Sequence, residues 1–136
     1  MLNTIYQNLK LFFQETFPDI KLDEYRGEFK EKSPAGWNPH FPCCLIEMTE
    51  YSPVIRSLSN QIIKHRAEFT LYIAEKNSFG FELIQDIVEE LDFKGVHVFA
   101  DGVSHALDAY SVQVNSVKFL TGINSVRVHT LQISIS

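Results

Sequence analysis

The stretch IIKHRAEFTLYIAEKNSFGFELIQDIVEELDFKG, residues 62–95, decides the fold. His65, Ala67, Phe69, Leu71 and Ile73 alternate with Lys64, Arg66, Glu68, Thr70 and Tyr72. That is the period-2 pattern of a strand with one buried and one wetter face. After Lys76 the period changes. Leu83, Ile84, Ile87, Val88 and Leu91 recur at helical spacing, with Glu82, Gln85, Asp86, Glu89 and Glu90 between them. Asn77 or Ser78 can cap this helix, and Lys94-Gly95 can stop it. A helix with one apolar stripe needs a floor, and the neighbouring strands supply it.

Working outward, Leu2–Thr16 reads as a first helix, with Leu2, Ile5, Tyr6, Leu9, Phe12 and Phe13 on one face. Phe17-Pro18 ends it. Residues 20–25 alternate as a short strand at a sheet edge. Residues 26–42 hold Gly27, Pro34, Gly36, Pro39 and Pro42, which prevent a continuous helix or central strand. The only tryptophan, Trp37, sits there, either folded back on the core or poised to meet a partner. Residues 41–51 read as a strand that is apolar on both faces at its start. Residues 51–60, opened by Ser52-Pro53, read as a second long loop. Val54, Ile55 and Leu58 in it form a helical turn or dock on a neighbouring subunit.

Residues 96–100 read as a short strand and 103–109 as a loop or helical turn. Residues 110–121 and 125–136 read as a long antiparallel hairpin. The apolar phase changes within both strands, which predicts bulges near Asn115-Ser116 and His129-Thr130; apolar cover on both sheet faces is the alternative. The expected fold is α+β: one domain over 1–136, a mostly antiparallel sheet with two main helices packed on it, and long loops at 26–42 and 51–60.

The chain has 136 residues, of which 45% are hydrophobic, enough for a core without disulfides. Its 12 basic and 17 acidic residues leave a net charge of -5, which argues against a general nucleic-acid binder. No apolar run approaches the ~20 residues of a membrane span. The N-terminus reads as a helix face rather than a leader, so a cytoplasmic protein is expected; the terminal strand is expected to end at Ser136 without a tail. Cys43 and Cys44 are adjacent, and in a strand they point to opposite faces, so two reduced thiols are expected.

No catalytic constellation emerges. His40, His65, His97, His105 and His129 form no H-x-x-x-H or H-E-x-x-H pair. Asp86, Glu89, Glu90 and Asp92 read as a solvated helix face. Ser104-His105 with Asp101 or Asp108 lacks a nucleophile elbow. No catalytic residue, metal or cofactor is expected. Long strands with exposed edges, and loops bearing apolar side chains, point instead to assembly.

Several features together resemble the tail-terminator (tail-completion) proteins of tailed bacteriophages, including the Mu-like contractile-tail type, and of related tail-like particles. They are the helix Leu2–Thr16, the proline-opened strand Pro42-Cys43-Cys44-Leu45-Ile46, and the polar loop 51–60. After these come Ala67-Glu68-Phe69-Thr70-Leu71-Tyr72-Ile73, the helix ending Val88-Glu89-Glu90-Leu91, and the terminal strand pair. The likeness is one of layout over nearly the whole chain; residues 26–42 have no match in it.

The resemblance implies a self-associating ring, a hexamer, that caps the tail tube, stops its polymerisation and offers a surface to the head. Tube subunits are the implied partners, with sheath or head-connector proteins as further candidates. No membrane or direct nucleic-acid contact is implied. The place implied is the host bacterial cytoplasm during assembly, then the virion tail. Acidic helix residues would steer the ring towards basic surfaces. The expected contact residues are Trp37, Val54, Ile55, Arg56, Ser104, His105, Ala106 and Leu107. Two other readings stay open: another neck or minor capsid component, and a small binding module or enzyme using Cys43 or a histidine. A ring tolerates Cys43→Ser and His105→Ala; an enzyme loses activity.

Overall fold

The computed structural model describes residues 2–29, 40–56, 58–59, 62–77, 80–92, 111–123 and 125–136, and within these not the side chains of 54–56, 62–64 and 123. The chain runs α1 (Leu2–Thr16), β1 (Lys21–Glu24), β2 (Cys43–Arg56), β3 (Ile62–Lys76), α2 (Glu82–Asp92), β4 (Val112–Ile123) and β5 (Val126–Ile135). The strands form one five-stranded sheet in the order β1-β2-β3-β5-β4.

β3 lies at its centre, antiparallel to β2 on one side and β5 on the other. Its alternation is realised as read. Ala67, Phe69, Leu71 and Ile73 are fully buried, and they meet Leu131, Ile133 and Ile135 of β5 and Cys44 and Ile46 of β2 on one face. Both helices cover that face: α1 through Ile5, Leu9, Phe12 and Phe13, and α2 through Ile84, Ile87 and Leu91. A smaller cluster on the opposite face joins Cys43, Ala74 and Val128 to Phe29, Phe41, Tyr72 and Val126. There the rings of Tyr25 and Tyr72 stack at 3.8 Å. Burial there, then the nearby Glu47 carboxylate, raise the Tyr72 phenol to about 12.

Four expectations need correction. First, the sheet is mixed rather than simply antiparallel, because β1 runs parallel to β2. A parallel neighbour needs a long return connection, and residues 25–42 provide one between the two strands. Second, residues 51–56 are strand, not loop. The sequence reads Pro53 as a breaker, but β1 stops pairing at Ile46, so among the described residues β2 is at an edge beside Pro53, where proline is tolerated.

Third, β5 has no bulge at His129-Thr130: it pairs with β3 without a shift from Val126 to Ile135. Residues 128–131 are buried on both faces, which produces the apparent phase change. The shift near Asn115 is present between Val114 and Ser116, and a second lies between Phe119 and Thr121. Fourth, Asn77 does not cap α2. It adopts φ 56 directly after β3 and donates its backbone N–H to Ser125 O at 2.8 Å, closing the turn beside the β4–β5 hairpin. Ser78, Lys94-Gly95 and the expected strand at 96–100 lie outside the described residues.

Leu71→Ala, at the centre of the core, is expected to cost about 2–5 kcal/mol in urea denaturation. Leu11→Ala, on the outer face of α1 at 45% exposure, is expected to cost under about 1 kcal/mol. Equal losses would show that the core is not centred on β3.

Candidate assembly interface

The strands do not end together, and this creates the first distinctive surface. β5 last pairs with β3 at Ala67, and β1 last pairs with β2 at Ile46. Beyond these points β2 and β3 run on, paired to each other as far as Arg56 and Ile62. Among the described residues, no third strand flanks 51–56 or 62–66. The result is a two-stranded arm that overhangs the sheet by about 20 Å at 3.3 Å per residue. Register shifts between Pro53 and Ile55 and between Ile55 and Arg56 twist it.

At its root the rings of Tyr51 and His65 lie nearly parallel, 9° apart in plane, with Tyr51 Oη and His65 Nδ1 hydrogen-bonded at 2.6 Å. Arg66 is held there as well, by Glu68 at 3.2 Å and Ser134 Oγ at 3.2 Å. Leu58, in the turn at the tip, is fully exposed. From Tyr51 to Ala67 the sequence carries Val54, Ile55, Leu58, Ile62 and Ile63 together with Arg56, Lys64 and Arg66, and no acidic residue. A lone two-stranded ribbon is marginal in water, so a ribbon this apolar is suited to gaining a partner.

The second surface lies towards the other end of the sheet. Phe81, Ile84 and Gln85 at the start of α2 face Val117 and Phe119 of β4 and His129 of β5 across an open groove of about 340 Å³. Phe81 and Phe119 are 64% and 63% exposed, unusual for phenylalanine. Both rings stand edge-on to the buried His129 imidazole, at 5.9 and 5.6 Å. Burial, then the charge of Arg127, hold the His129 pKa below its ordinary value. Its Nδ1 has no hydrogen-bond partner among the described residues.

The helix above the groove carries Glu82, Asp86, Glu89, Glu90 and Asp92 and no basic residue. Glu89 accepts a bond from Gln85 of the groove wall at 3.0 Å, and Asp92 Oδ1 accepts from the β4 backbone at Val114 N, 3.4 Å. The cation at the groove's near end is Arg127, which lies 5.7 Å from the Phe81 ring and donates to Gly80 O. Among the described residues β4 pairs with β5 alone.

A further groove, about 380 Å³, opens between the N-terminal turns of α1 and the β2 edge. Leu2, Tyr6, Glu24, Met48 and Phe69 line it. Cys43 and Cys44 are free and buried; burial raises Cys43 to about 11 and Cys44 higher still, so neither is a ready thiolate nucleophile at neutral pH. Among the described residues no three His, Cys, Asp or Glu side chains are placed to share a metal ion. No helix among them is long and apolar enough to cross a membrane.

Of the expected contact residues, Val54, Ile55 and Arg56 fall together on the distal half of the arm. Trp37, Ser104, His105, Ala106 and Leu107 lie outside the described residues. Sequence reasoning missed the groove. Val117 and Phe119 looked like ordinary strand residues, and only their coincidence with the phase change at Asn115-Ser116 marked them. No protein-family model matches the chain, and no curated protein matches its sequence.

Two predictions follow from these environments. Iodoacetamide at pH 8 is expected to leave both cysteines unmodified in the folded protein and to label both in urea; rapid labelling of the native state would contradict the burial. The His129 pKa is lower folded than unfolded, so the unfolded chain binds the extra proton first. Stability is therefore expected to fall as pH drops below about 6.5 towards the lowered folded value. His129→Gln should flatten that slope in urea titrations between pH 7 and 5, and an unchanged slope would assign the effect elsewhere.

Proposed function

We propose that this chain is a structural assembly subunit: a tail terminator of a tailed-phage or tail-like particle that closes into a ring on the end of the tail tube. The carrying observation is a subunit with two unlike features towards opposite ends of one sheet, a two-stranded arm that overhangs it and an open apolar groove beneath the acidic helix α2. Unlike surfaces at opposite ends favour head-to-tail contacts, which close into rings when the rotation per subunit allows it. The layout of helix, proline-opened strand, central strand, acidic helix and terminal hairpin adds the resemblance to terminators.

A terminator needs no chemistry at its surface. It needs one face that matches the last tube ring and another that refuses the next tube subunit, which is specificity by complementarity and exclusion. The tube is the primary partner in this reading, and the opposite face of the ring meets the head or its connector. Both cysteines then serve as small core residues.

The test adds the purified chain to polymerising tail-tube subunits and measures tube length by electron microscopy. Shorter tubes, with density at one end, are the expected result. Unchanged lengths and bare ends at saturating protein would overturn the reading.

A further inference from the structure

We propose that the groove between the first turns of α1 and the β2 edge receives an arginine side chain from an extended segment of a protein partner. On the terminator reading above, on which the identity of the partner rests, that protein is the tail-tube subunit.

The groove exists because β1 is short. Tyr25 donates its backbone N–H to Ile46 O at 2.9 Å, and β1 pairs with β2 no further. β2 runs on, and among the described residues only β3 flanks it there. The rings of Tyr6 and Phe69 stack at 6.5 Å, which seats the start of α1 over this step in the sheet. A space of about 380 Å³ is left between Leu2 and Tyr6 of the helix and Ile46, Met48 and Phe69 of the strands.

Its walls are apolar and its rim is acidic. Glu24 and Glu47 both line it, and among the described residues no lysine, arginine or histidine does. Tyr6 Oη donates to Glu24 Oε1 at 3.4 Å. Burial, then this carboxylate, raise the Tyr6 phenol above its ordinary value. Two nearby cations are placed elsewhere. Lys10 sits 5.1 Å from the centre of the Tyr6 ring and Arg26 pairs with Asp23 at 3.1 Å, and both line a smaller adjoining groove. Among the described residues neither Glu24 nor Glu47 is in an ion pair.

A side chain that satisfies both features has an aliphatic stem and a cationic head. The stem lies along Leu2 and Met48, which is 44% exposed, and the head meets the carboxylates. A guanidinium suits this better than an ammonium, because it is planar, stacks on a tyrosine ring and forks onto a carboxylate. The backbone favours an extended donor. Ile46 turns its C=O towards β1, so Met48, two residues on, turns its N–H and C=O to the same edge, where β1 no longer reaches. A partner segment in line with β1 bonds there while its arginine enters the groove, as in strand addition. The register shift between Met48 and Glu50, and then Pro53, oppose pairing further along the edge. The contact is therefore short, and the groove supplies its specificity.

The chain has two methionines, so the Met48 methyl is readily assigned by NMR. The full chain, isotope-labelled at its methionine methyls, is titrated with a blocked pentapeptide of valine and threonine around a central arginine. The comparison peptide carries norleucine in its place. The arginine peptide is expected to shift the Met48 methyl saturably, and salt to weaken the effect. The norleucine peptide, and the chain carrying Glu24→Gln with Glu47→Gln, should each bind about tenfold more weakly or worse. Both glutamates are partly exposed, and circular dichroism checks each variant for a native melt. Glu82→Gln with Glu89→Gln, the same charge change on α2, should leave binding intact.

No shift of the Met48 methyl at millimolar peptide, equal binding of the norleucine peptide, or equal binding by the Glu24→Gln, Glu47→Gln chain would each overturn the site. A Met48 shift produced by chain concentration alone, with the peptide without effect, would give the groove to a second copy and overturn it too. The same variant is then added to polymerising tube subunits. Loss of the tube shortening that wild type retains supports the tube as partner; equal shortening by both overturns it. The site and the terminator reading fail separately. Carboxylate-dependent peptide binding with no effect of wild type on tube length keeps the site and sinks that reading, and shortening by wild type with no response at Met48 does the reverse.

Discussion

The structure depends on the double commitment of β3. From Ala67 to Ala74 it is paired along both edges, and the face carrying Ala67, Phe69, Leu71 and Ile73 is sealed beneath two helices. A one-residue slip would turn Arg66, Glu68, Thr70 and Tyr72 into that core and expose the aliphatic set, so the register is strongly fixed. Each buried aliphatic side chain contributes about 1.5–3 kcal/mol to holding it. With β3 fixed, its distal half projects as the arm and its proximal half underlies the groove. One strand therefore sets the separation of the two surfaces on which the functional reading stands.

Legibility in the sequence followed the strength of the physical signal. β3 and α2 were readable because hydrophobic period is a direct record of one-sided burial. α1 was readable because its stripe runs unbroken to Phe13 and a proline follows soon after. The parallel pairing of β1 was not readable, because Lys21–Glu24 is short and mostly exposed, and direction depends on where residues 25–42 return the chain. The extension of β2 through Pro53 was hidden by a rule that holds for central strands and lapses at an edge. The β5 phase change misled because a central strand covered on both faces has no favoured parity.

The candidate site was legible only in part. The sequence marks Val54, Ile55 and Arg56 as contact residues and places them in a loop; the structure sets them in the paired strand β2. The groove depends on which face of β4 meets α2, and that follows from a register shift beyond Val114 that sequence period alone does not place against the helix. The sequence reads the acidic face of α2 as solvated. It also makes local bonds, Gln85 to Glu89 within the helix and the Val114 backbone N–H to Asp92.

A subunit with an overhanging two-stranded arm and an open apolar groove makes physical sense when further copies cover them. The most direct measurement of that claim is the mass of the purified chain by light scattering across concentration at low salt. The account predicts a shift from monomer towards a single closed species, a hexamer, with no larger aggregate beyond it. A strict monomer at every concentration, or open-ended growth without closure, would contradict it.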